Sequence, residues 1–181
     1  LPRGGGDSLA EFCMTADAAH PATLPLDELL AGCEMRTTRR SGPGGQHRNK
    51  VETAVVLRHR ESGVEAEANE ARSQAENRSK ALLRLRVRLA LSIATRGGRT
   101  AAALAAAVPP VALSVNPEHD DFPALLSEAL DQIFPLQGHV AAAASILQCS
   151  TSQLTRFLKL EPAALRMVNG WRQQQGLRPL K

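Results

Sequence analysis

The chain has 181 residues, of which 43% are apolar and 22% are charged, so a folded globular protein is expected and a disordered tail is not. Its longest weakly polar stretch, residues 101–113, is interrupted by two prolines and is shorter than the roughly 20 apolar residues of a membrane-spanning helix. The net charge of +4 conceals a basic segment, residues 36–99, which carries fifteen basic and six acidic residues and therefore favours a polyanionic partner. The same segment contains no Phe, Tyr or Trp, which argues against an RRM or an OB-fold, because these folds bind bases by stacking them on aromatic rings.

The N-terminal part is predicted to begin with an acidic, flexible segment over residues 1–22. Leucines between Pro25 and Gly32 predict a short helix, because proline favours a helix start and glycine a helix end. A strand is predicted over residues 34–38. Residues 39–50 contain a Gly-Pro-Gly-Gly run, which is typical of a loop.

A hairpin is predicted after this loop. Apolar and polar residues alternate over residues 55–60 and again over residues 64–68, and Glu61-Ser62-Gly63 separates the two runs. Arg58 and Arg60 are placed to pair with glutamates on the neighbouring strand.

A long helix is expected to begin at Gln74, because Ser73 and Glu76 form a capping box. Its apolar residues recur in steps of three and four up to position 93, and Gly97-Gly98 ends it. Lys80, Arg84 and Arg88 recur every fourth residue on another face. Like charges at this spacing destabilise an isolated helix, so the row favours an anionic partner, with an ordinary exposed helix face as the alternative.

Residues 97–121 are rich in Ala and Pro and predict a linker, and residues 122–181 predict a small all-α domain. Four helices are expected there: one from Phe122 to Pro135, one over about 139–147, one opened by the capping box of Ser150 and Gln153, and one from Pro162. The second and third resemble a helix-turn-helix with Gln148 in place of the usual turn glycine. The residues expected on the exposed side of the third helix are Thr151, Ser152, Gln153, Arg156 and Lys159. A module that docks onto another macromolecule, a nucleic-acid-binding module and a purely structural bundle all remain open.

The loop after the first strand contains the residues with the clearest chemical potential, Gly44-Gly45-Gln46. Glycines let the backbone approach a ligand closely, and the flanking cations Arg39, Arg40, Arg48 and Lys50 would seat the loop on phosphates. The chain has no nucleotide-triphosphate loop, no serine-nucleophile elbow and no C-x-x-C pair. We therefore expect no metal and no cofactor, in a reducing, cytoplasmic compartment.

The stretch Arg39-Arg-Ser-Gly-Pro-Gly-Gly-Gln-His-Arg-Asn-Lys50 resembles the catalytic loop of class I peptide-chain release factors and their ribosome-rescue relatives. The resemblance continues through Glu52-Thr-Ala-Val55 and Arg72-Ser-Gln-Ala-Glu-Asn-Arg78, and it covers about residues 24–96. It implies an α+β fold: a release-factor GGQ catalytic domain over residues 23–96, with a short mixed sheet and a long packed helix, followed by the all-α helix-turn-helix-like domain.

The resemblance also implies a ribosome-dependent peptidyl-tRNA hydrolase whose partners are large-subunit rRNA and the P-site peptidyl-tRNA. Gly44, Gly45 and Gln46 would enter the peptidyl-transferase centre, where the backbone N–H of Gln46 would stabilise the oxyanion or the leaving hydroxyl. The side chain of Gln46 would shape the space for the attacking water. Losing one such donor costs about 3–4 kcal/mol in known enzymes. No general base from the protein is required, because rRNA and the tRNA ribose can share the proton transfer.

Contacts with the rRNA and tRNA backbone are predicted for a set of polar and cationic residues: Arg39, Arg40, Arg48, Lys50, Arg72, Gln74, Arg78, Lys80, Arg84 and Arg88. Arg48 replaces the small aliphatic residue usual in the family, and His47 is interpreted as a packing or hydrogen-bonding residue. In release factors a separate domain reads stop codons through a Pro-x-Thr or Ser-Pro-Phe tripeptide. We expect codon-independent release, because this chain has no room for that domain and no such tripeptide is expected before the loop.

Short rescue hydrolases of the family usually end in a Lys/Arg-rich tail that enters an empty mRNA channel. Here residues 100–181 contain six basic and six acidic residues and are predicted to fold. The alternative to a hydrolase is a non-catalytic ribosome- or RNA-binding protein that retains the scaffold.

Overall fold

The computed structural model describes residues 19–38, 53–92 and 113–181. Within these ranges the chain is α+β, as predicted. The three strands, β1 to β3, are Cys33–Thr38, Ala54–His59 and Glu65–Ala68. The six α-helices, α1 to α6, are Leu26–Ala31, Gln74–Ser92, Phe122–Ile133, Val140–Ile146, Thr151–Leu158 and Pro162–Gln174. A 3-10 helix, Pro21–Thr23, precedes α1. None of these helices is long and apolar enough to cross a membrane.

The sheet has the order β1-β2-β3, with both pairs antiparallel, so among the described strands the mixed sheet implied by the resemblance is not found. One face of the sheet is buried against α2: Val55 and Leu57 of β2 lie beside Ala66 and Ala68 of β3, and all four are at most 1% exposed. The opposite face is charged. There Arg58 pairs with Glu65 across the hairpin at 3.6 Å, as predicted, whereas Arg60 pairs with Glu34 of β1 at 3.6 Å instead of a glutamate of β3.

The turn between β2 and β3 is shaped by glycine and by a histidine. Gly63 has a φ of +70°, a conformation that L side chains rarely adopt. The Nδ1 atom of His59 accepts the backbone N–H of Ser62 at 3.3 Å and lies 2.8 Å from the hydroxyl of Ser62. Burial lowers the pKa of His59, which favours the neutral imidazole that this acceptor role requires.

Helix α2 begins at Gln74, as its capping box predicts, and the backbone N–H of Glu76 donates to the Ser73 hydroxyl at 3.4 Å. The helix packs against β2 and β3 and buries Leu85 and Leu89 on its apolar face. Its other long face contacts α3. The helix therefore lies between the sheet and the C-terminal helices.

The N-terminal segment is more ordered near its end than the sequence indicates. His20, Pro21 and Ala22 are buried, and the 3-10 helix packs against both α2 and α3. Arg86 joins these parts: its Nε and Nη2 donate to the carbonyl of Ala22 at 3.1 and 2.9 Å, and its Nη1 donates to the carbonyl of Asp120 at 2.8 Å.

The four C-terminal helices occur where the sequence predicts them, and they continue the same hydrophobic core. The rings of Phe122 and Phe157 lie 5.4 Å apart between centroids, and those of Phe134 and Trp171 lie 5.2 Å apart in an edge-on arrangement. Helix α3 joins the two parts because it also packs on α2. The division into two domains with a linker stays a prediction, and the structure adds that both parts share a core.

In the turn between α4 and α5, Gln148 occupies the position at which the helix-turn-helix pattern usually has glycine. Gln148 has a φ of 54°, so it adopts the left-handed conformation for which glycine is usually selected. Ser150 then caps α5 by accepting the backbone N–H of Gln153 at 3.1 Å, and the Gln153 side chain accepts the N–H of Ser150 at 2.8 Å. The predicted capping box is confirmed.

Candidate functional site

The candidate catalytic loop connects two neighbouring strands. Thr38, the last residue of β1, is the register partner of Ala54, the first residue of β2. The antiparallel pair thus holds both ends of the connection at one end of the sheet. The predicted catalytic residues Gly44, Gly45 and Gln46 and the predicted RNA contacts Arg39, Arg40, Arg48 and Lys50 belong to this connection and lie outside the described residues.

Asn77 holds the start of β2 against the first turns of α2. Its side chain is fully buried, and its Nδ2 donates to the carbonyl of Thr53 at 2.6 Å and to the carbonyl of Ala71 at 3.0 Å. Its Oδ1 accepts the backbone N–H of Ala71 at 2.9 Å. Because Thr53 directly precedes β2, this amide joins the exit of the candidate loop to the helix.

Four of the predicted RNA contacts surround this junction and are exposed. Arg72 and Gln74 flank the start of α2, and Arg78 and Lys80 lie within one helical turn of Asn77. The structure therefore brings these four residues to the end of the molecule at which the loop begins and ends. Whether they contact RNA stays a prediction.

Arg84 and Arg88 have intramolecular partners on β3 and the turn after it. Arg84 donates to the carbonyl of Glu67 at 2.8 Å and to the carboxylate of Glu70, and Arg88 donates to the carbonyl of Glu65 at 2.5 Å. The row of like charges on α2 is therefore partly explained by its packing on the sheet edge. Their predicted RNA contacts remain open, because both residues are exposed.

The pKa of Glu70 reflects its hydrogen bonds to Arg84 and to the backbone. Burial acts to raise the pKa of its carboxyl, but hydrogen bonds from Arg84 and from the backbone N–H groups of Glu70 and Asn69 lower the pKa to about 2. The carboxylate therefore stays charged, and paired with Arg84, throughout the neutral range. The two side chains keep 47% and 41% of their surface exposed, so their ion pair adds only about 0.2–1 kcal/mol to stability.

Comparison with known proteins identifies the part of the chain that surrounds the loop. The RF-1 domain family matches residues 30–106. Residues 30–106 are thus similar to this family, and we call them the RF-1 domain. Its β1, β2, β3 and α2 are the described elements that hold the two ends of the candidate loop.

Individual relatives match part of the chain. "Peptide chain release factor 1" of Xylella fastidiosa is 43% identical over 70 residues, covering 39% of this chain and 17% of the relative. "Peptide chain release factor PrfB1, chloroplastic" of Arabidopsis thaliana is 50% identical over 52 residues, covering 29% and 11%. "Peptide chain release factor 1" of Ureaplasma parvum is 42% identical over 74 residues, covering 40% and 21%.

The chain thus spans about a fifth or less of the length of these relatives. No solved structure matches the chain at a comparable level. The family match ends at residue 106 and therefore does not include the four C-terminal helices, which begin at Phe122.

The expectation that no Pro-x-Thr tripeptide precedes the loop is wrong, because Pro21-Ala22-Thr23 lies before it and forms the 3-10 helix. Ala22 is fully buried and its carbonyl accepts from Arg86, while the Thr23 hydroxyl donates to the carbonyl of His20 at 2.7 Å. The tripeptide is therefore packed against α2 and engaged in local hydrogen bonds rather than presented at the tip of a loop.

The described residues outside the loop offer few groups for catalysis. No cluster of three or more His, Cys, Asp or Glu side chains in the described ranges could hold a metal ion. Burial raises the pKa of the Cys33 and Cys149 thiols, so both are kept in the unreactive protonated form. The loop of the RF-1 domain is thus the strongest candidate for chemistry.

Sequence reasoning missed Asn77 and Arg86 as positioning residues. Both lie in a helix whose polar residues were expected to face solvent or RNA. The role of Asn77 could have been suspected from its residue type. Asn is a poor helix former, and when it lies near the start of a helix its side chain often bonds to backbone groups elsewhere. Arg86 lies outside the row formed by Lys80, Arg84 and Arg88. Its position in the sequence does not indicate which groups it contacts.

Proposed function

We propose that this chain hydrolyses the ester bond of peptidyl-tRNA on ribosomes in the cytoplasm, and that it releases nascent peptides from stalled ribosomes without reading a stop codon. The observation that carries the proposal is Gly44-Gly45-Gln46 in the β1–β2 connection of an RF-1 domain. The release-factor names of its relatives support the same reaction.

The chemistry requires only a preorganised donor and a shaped cavity. Water attacks the carbonyl carbon of the ester, and negative charge develops on the carbonyl oxygen as the tetrahedral intermediate forms. The backbone N–H of Gln46 stabilises this charge, or the charge on the ribose oxygen as its bond to the carbonyl carbon breaks. The proton lost by the water reaches the leaving ribose oxygen through rRNA and the tRNA ribose. The side chain of Gln46 limits the space beside the ester to a water molecule. The glycines at positions 44 and 45 let the backbone approach the ester closely.

Binding of the loop to RNA depends on the positive charges around its two ends. Arg39, Arg40, Arg48 and Lys50 flank the tripeptide in the sequence, and the exposed residues at the start of α2 lie beside Asn77 and hence beside the loop exit. We assign these groups to the phosphate backbones of large-subunit rRNA and P-site tRNA. A backbone-held loop needs no aromatic platform, which fits the absence of aromatic residues over 36–99.

Codon independence is supported by the state of the tripeptide. Pro21-Ala22-Thr23 is buried at its centre and fixed by Arg86. Reading a codon would require these residues to face mRNA. We therefore assign them to the packing of the N-terminal segment.

Peptide release from ribosomes that carry a labelled peptidyl-tRNA in the P site tests the proposal. Two complexes are compared, one with a stop codon in the A site and one without an A-site codon. The native protein is expected to release peptide from both, and Gly45→Ala from neither. Release only with a stop codon would contradict codon independence. Binding to ribosomes without any release would favour the non-catalytic alternative.

A further inference from the structure

The neutral sum over residues 100–181 conceals a second division of charge. Residues 100–132 contain five acidic and no basic residues, whereas residues 133–181 contain six basic residues and one acidic residue, Glu161. Glu161 is used within the fold, where its Oε1 caps α6 by accepting the backbone N–H of Ala163 at 3.0 Å. The part of the chain that forms α4, α5 and α6 therefore has a net positive charge.

Helix α5 concentrates this charge on one side. Ser152 and Arg156 of α5 and Lys159, which caps the C-terminal end of α5, follow the i, i+4, i+7 spacing that places side chains on a single helix face, and all three are exposed. In the part of the chain that the structure describes, neither Arg156 nor Lys159 forms an ion pair. We call this face of Ser152, Arg156 and Lys159 the α5 surface.

The apolar residues of α5 decide between a protein and a nucleic-acid partner. A helix that docks into a protein groove presents apolar anchors at helical spacing. The apolar residues of α5, Leu154, Phe157 and Leu158, are at most 1% exposed because they fill the core of this chain. The face left to a partner thus offers a hydroxyl and two cations, which are groups that contact phosphate oxygens.

We propose that the α5 surface binds the phosphate backbone of RNA. The choice of RNA rests on the proposed function, since ribosomes would bring RNA to this surface. The contact would add a second RNA-binding region to the loop end of the RF-1 domain. It would also let a folded helix take part in recruiting the protein to the ribosome.

The segment after α6 is consistent with recruitment by folded elements. The Asn169 side chain accepts the backbone N–H of Leu180 at 2.7 Å and donates to its carbonyl at 3.3 Å. The Nε of Arg172 donates to the carbonyl of Arg178 at 2.8 Å. These bonds hold the C-terminal segment along α6.

The salt dependence of RNA binding tests the proposal with the full chain. The probe is a fluorescent single-stranded RNA of mixed sequence, titrated at several KCl concentrations. For the double variant R156Q/K159Q we expect weaker binding and a slope of log K against log [salt] that is smaller by about 1.4, because each phosphate contact contributes about 0.7 for single strands. Ser152→Glu places a negative charge on the same face and is also expected to weaken binding.

The matched control is R58Q/R60Q, which removes the same net charge from two cations that already pair with Glu65 and Glu34. The control is expected to leave the slope nearly unchanged. Equal slopes for R156Q/K159Q and the native protein would overturn the proposal. Tighter binding to polyglutamate than to the RNA would also overturn it and would favour an acidic protein partner.

Failure of the proposed function would look different. The expected result for Gly45→Ala is loss of peptide release with an unchanged RNA slope. A native protein that binds RNA through the α5 surface but releases no peptide would contradict the proposed function and support the α5 surface.

Discussion

Removal of the Asn77 amide is predicted to destabilise the RF-1 domain where it holds the candidate loop. Asn77→Ala removes three hydrogen bonds, to the carbonyls of Thr53 and Ala71 and from the N–H of Ala71. At about 1 kcal/mol for each, the free energy of unfolding is expected to fall by about 3 kcal/mol. Because Asn77 is fully buried, water replaces these bonds poorly.

The isosteric variant Asn77→Asp separates hydrogen bonding from packing. Its carboxylate could still accept from the N–H of Ala71, but its second oxygen would face the carbonyls of Thr53 and Ala71 without a proton to share. Burial and these carbonyls would raise the pKa of the introduced carboxyl above its unfolded value of about 3.9. The folded state would then bind the proton more tightly than the unfolded state. The stability deficit relative to the native protein is therefore largest at pH 7 and narrows as the pH falls toward 5.

Urea unfolding followed by circular dichroism measures both effects. With a slope of about 2 kcal/mol/M, a loss of about 3 kcal/mol lowers the midpoint by about 1.5 M. A change below about 0.5 kcal/mol for Asn77→Ala, or a deficit for Asn77→Asp that does not vary between pH 7 and pH 5, would refute the buried amide bridge.

Three further predictions concern positions away from the loop, and all are measured by unfolding. Gly138→Ala is expected to cost more than about 1 kcal/mol, because φ is +83° and an added Cβ would lie 2.6 Å from Cγ and 3.0 Å from the backbone N of Arg172; an unchanged midpoint would contradict this. Gln148→Gly is expected to raise the free energy of unfolding by up to about 1 kcal/mol, because it relieves a left-handed φ of 54°, and destabilisation would contradict it. Glu70→Gln removes the charged partner of Arg84, so the native protein is expected to lose its advantage over this variant as the pH falls from about 4.5 toward about 2. An advantage that persists at pH 2 would argue against this pairing.

The helices and strands could be predicted because local signals and tertiary packing agree. Ser73 and Ser150 begin helices at the expected positions, and alternation across Glu61–Gly63 gives the hairpin its buried and charged faces. Even Gln148 was identified by its position in the turn. Helix caps and hairpins depend on residues that lie within a few positions of one another, so they can be predicted from the local sequence.

The candidate site was only partly predictable, because its support depends on contacts between distant residues. Asn77 reaches Thr53 across 24 positions, and Arg86 reaches Ala22 across 64. Arg84 and Arg88 have the spacing of a phosphate-binding row, yet they also donate to the β3 backbone. Spacing places a charge on a helix face, but it does not reveal which element lies opposite that face.

The rate of peptide release by Gly45→Ala, compared with the native protein on ribosomes without an A-site codon, tests the central claim most directly. Gly170→Ala is the matched control, because an added Cβ there meets nothing within 4 Å. We predict that Gly45→Ala lowers the single-turnover rate by roughly 100-fold or more, as expected if the added Cβ keeps the backbone N–H of Gln46, the preorganised oxyanion donor, from its position beside the ester. Gly170→Ala is expected to retain the native rate. Equal rates for Gly45→Ala and the native protein, or no release by the native protein, would contradict hydrolysis by this loop.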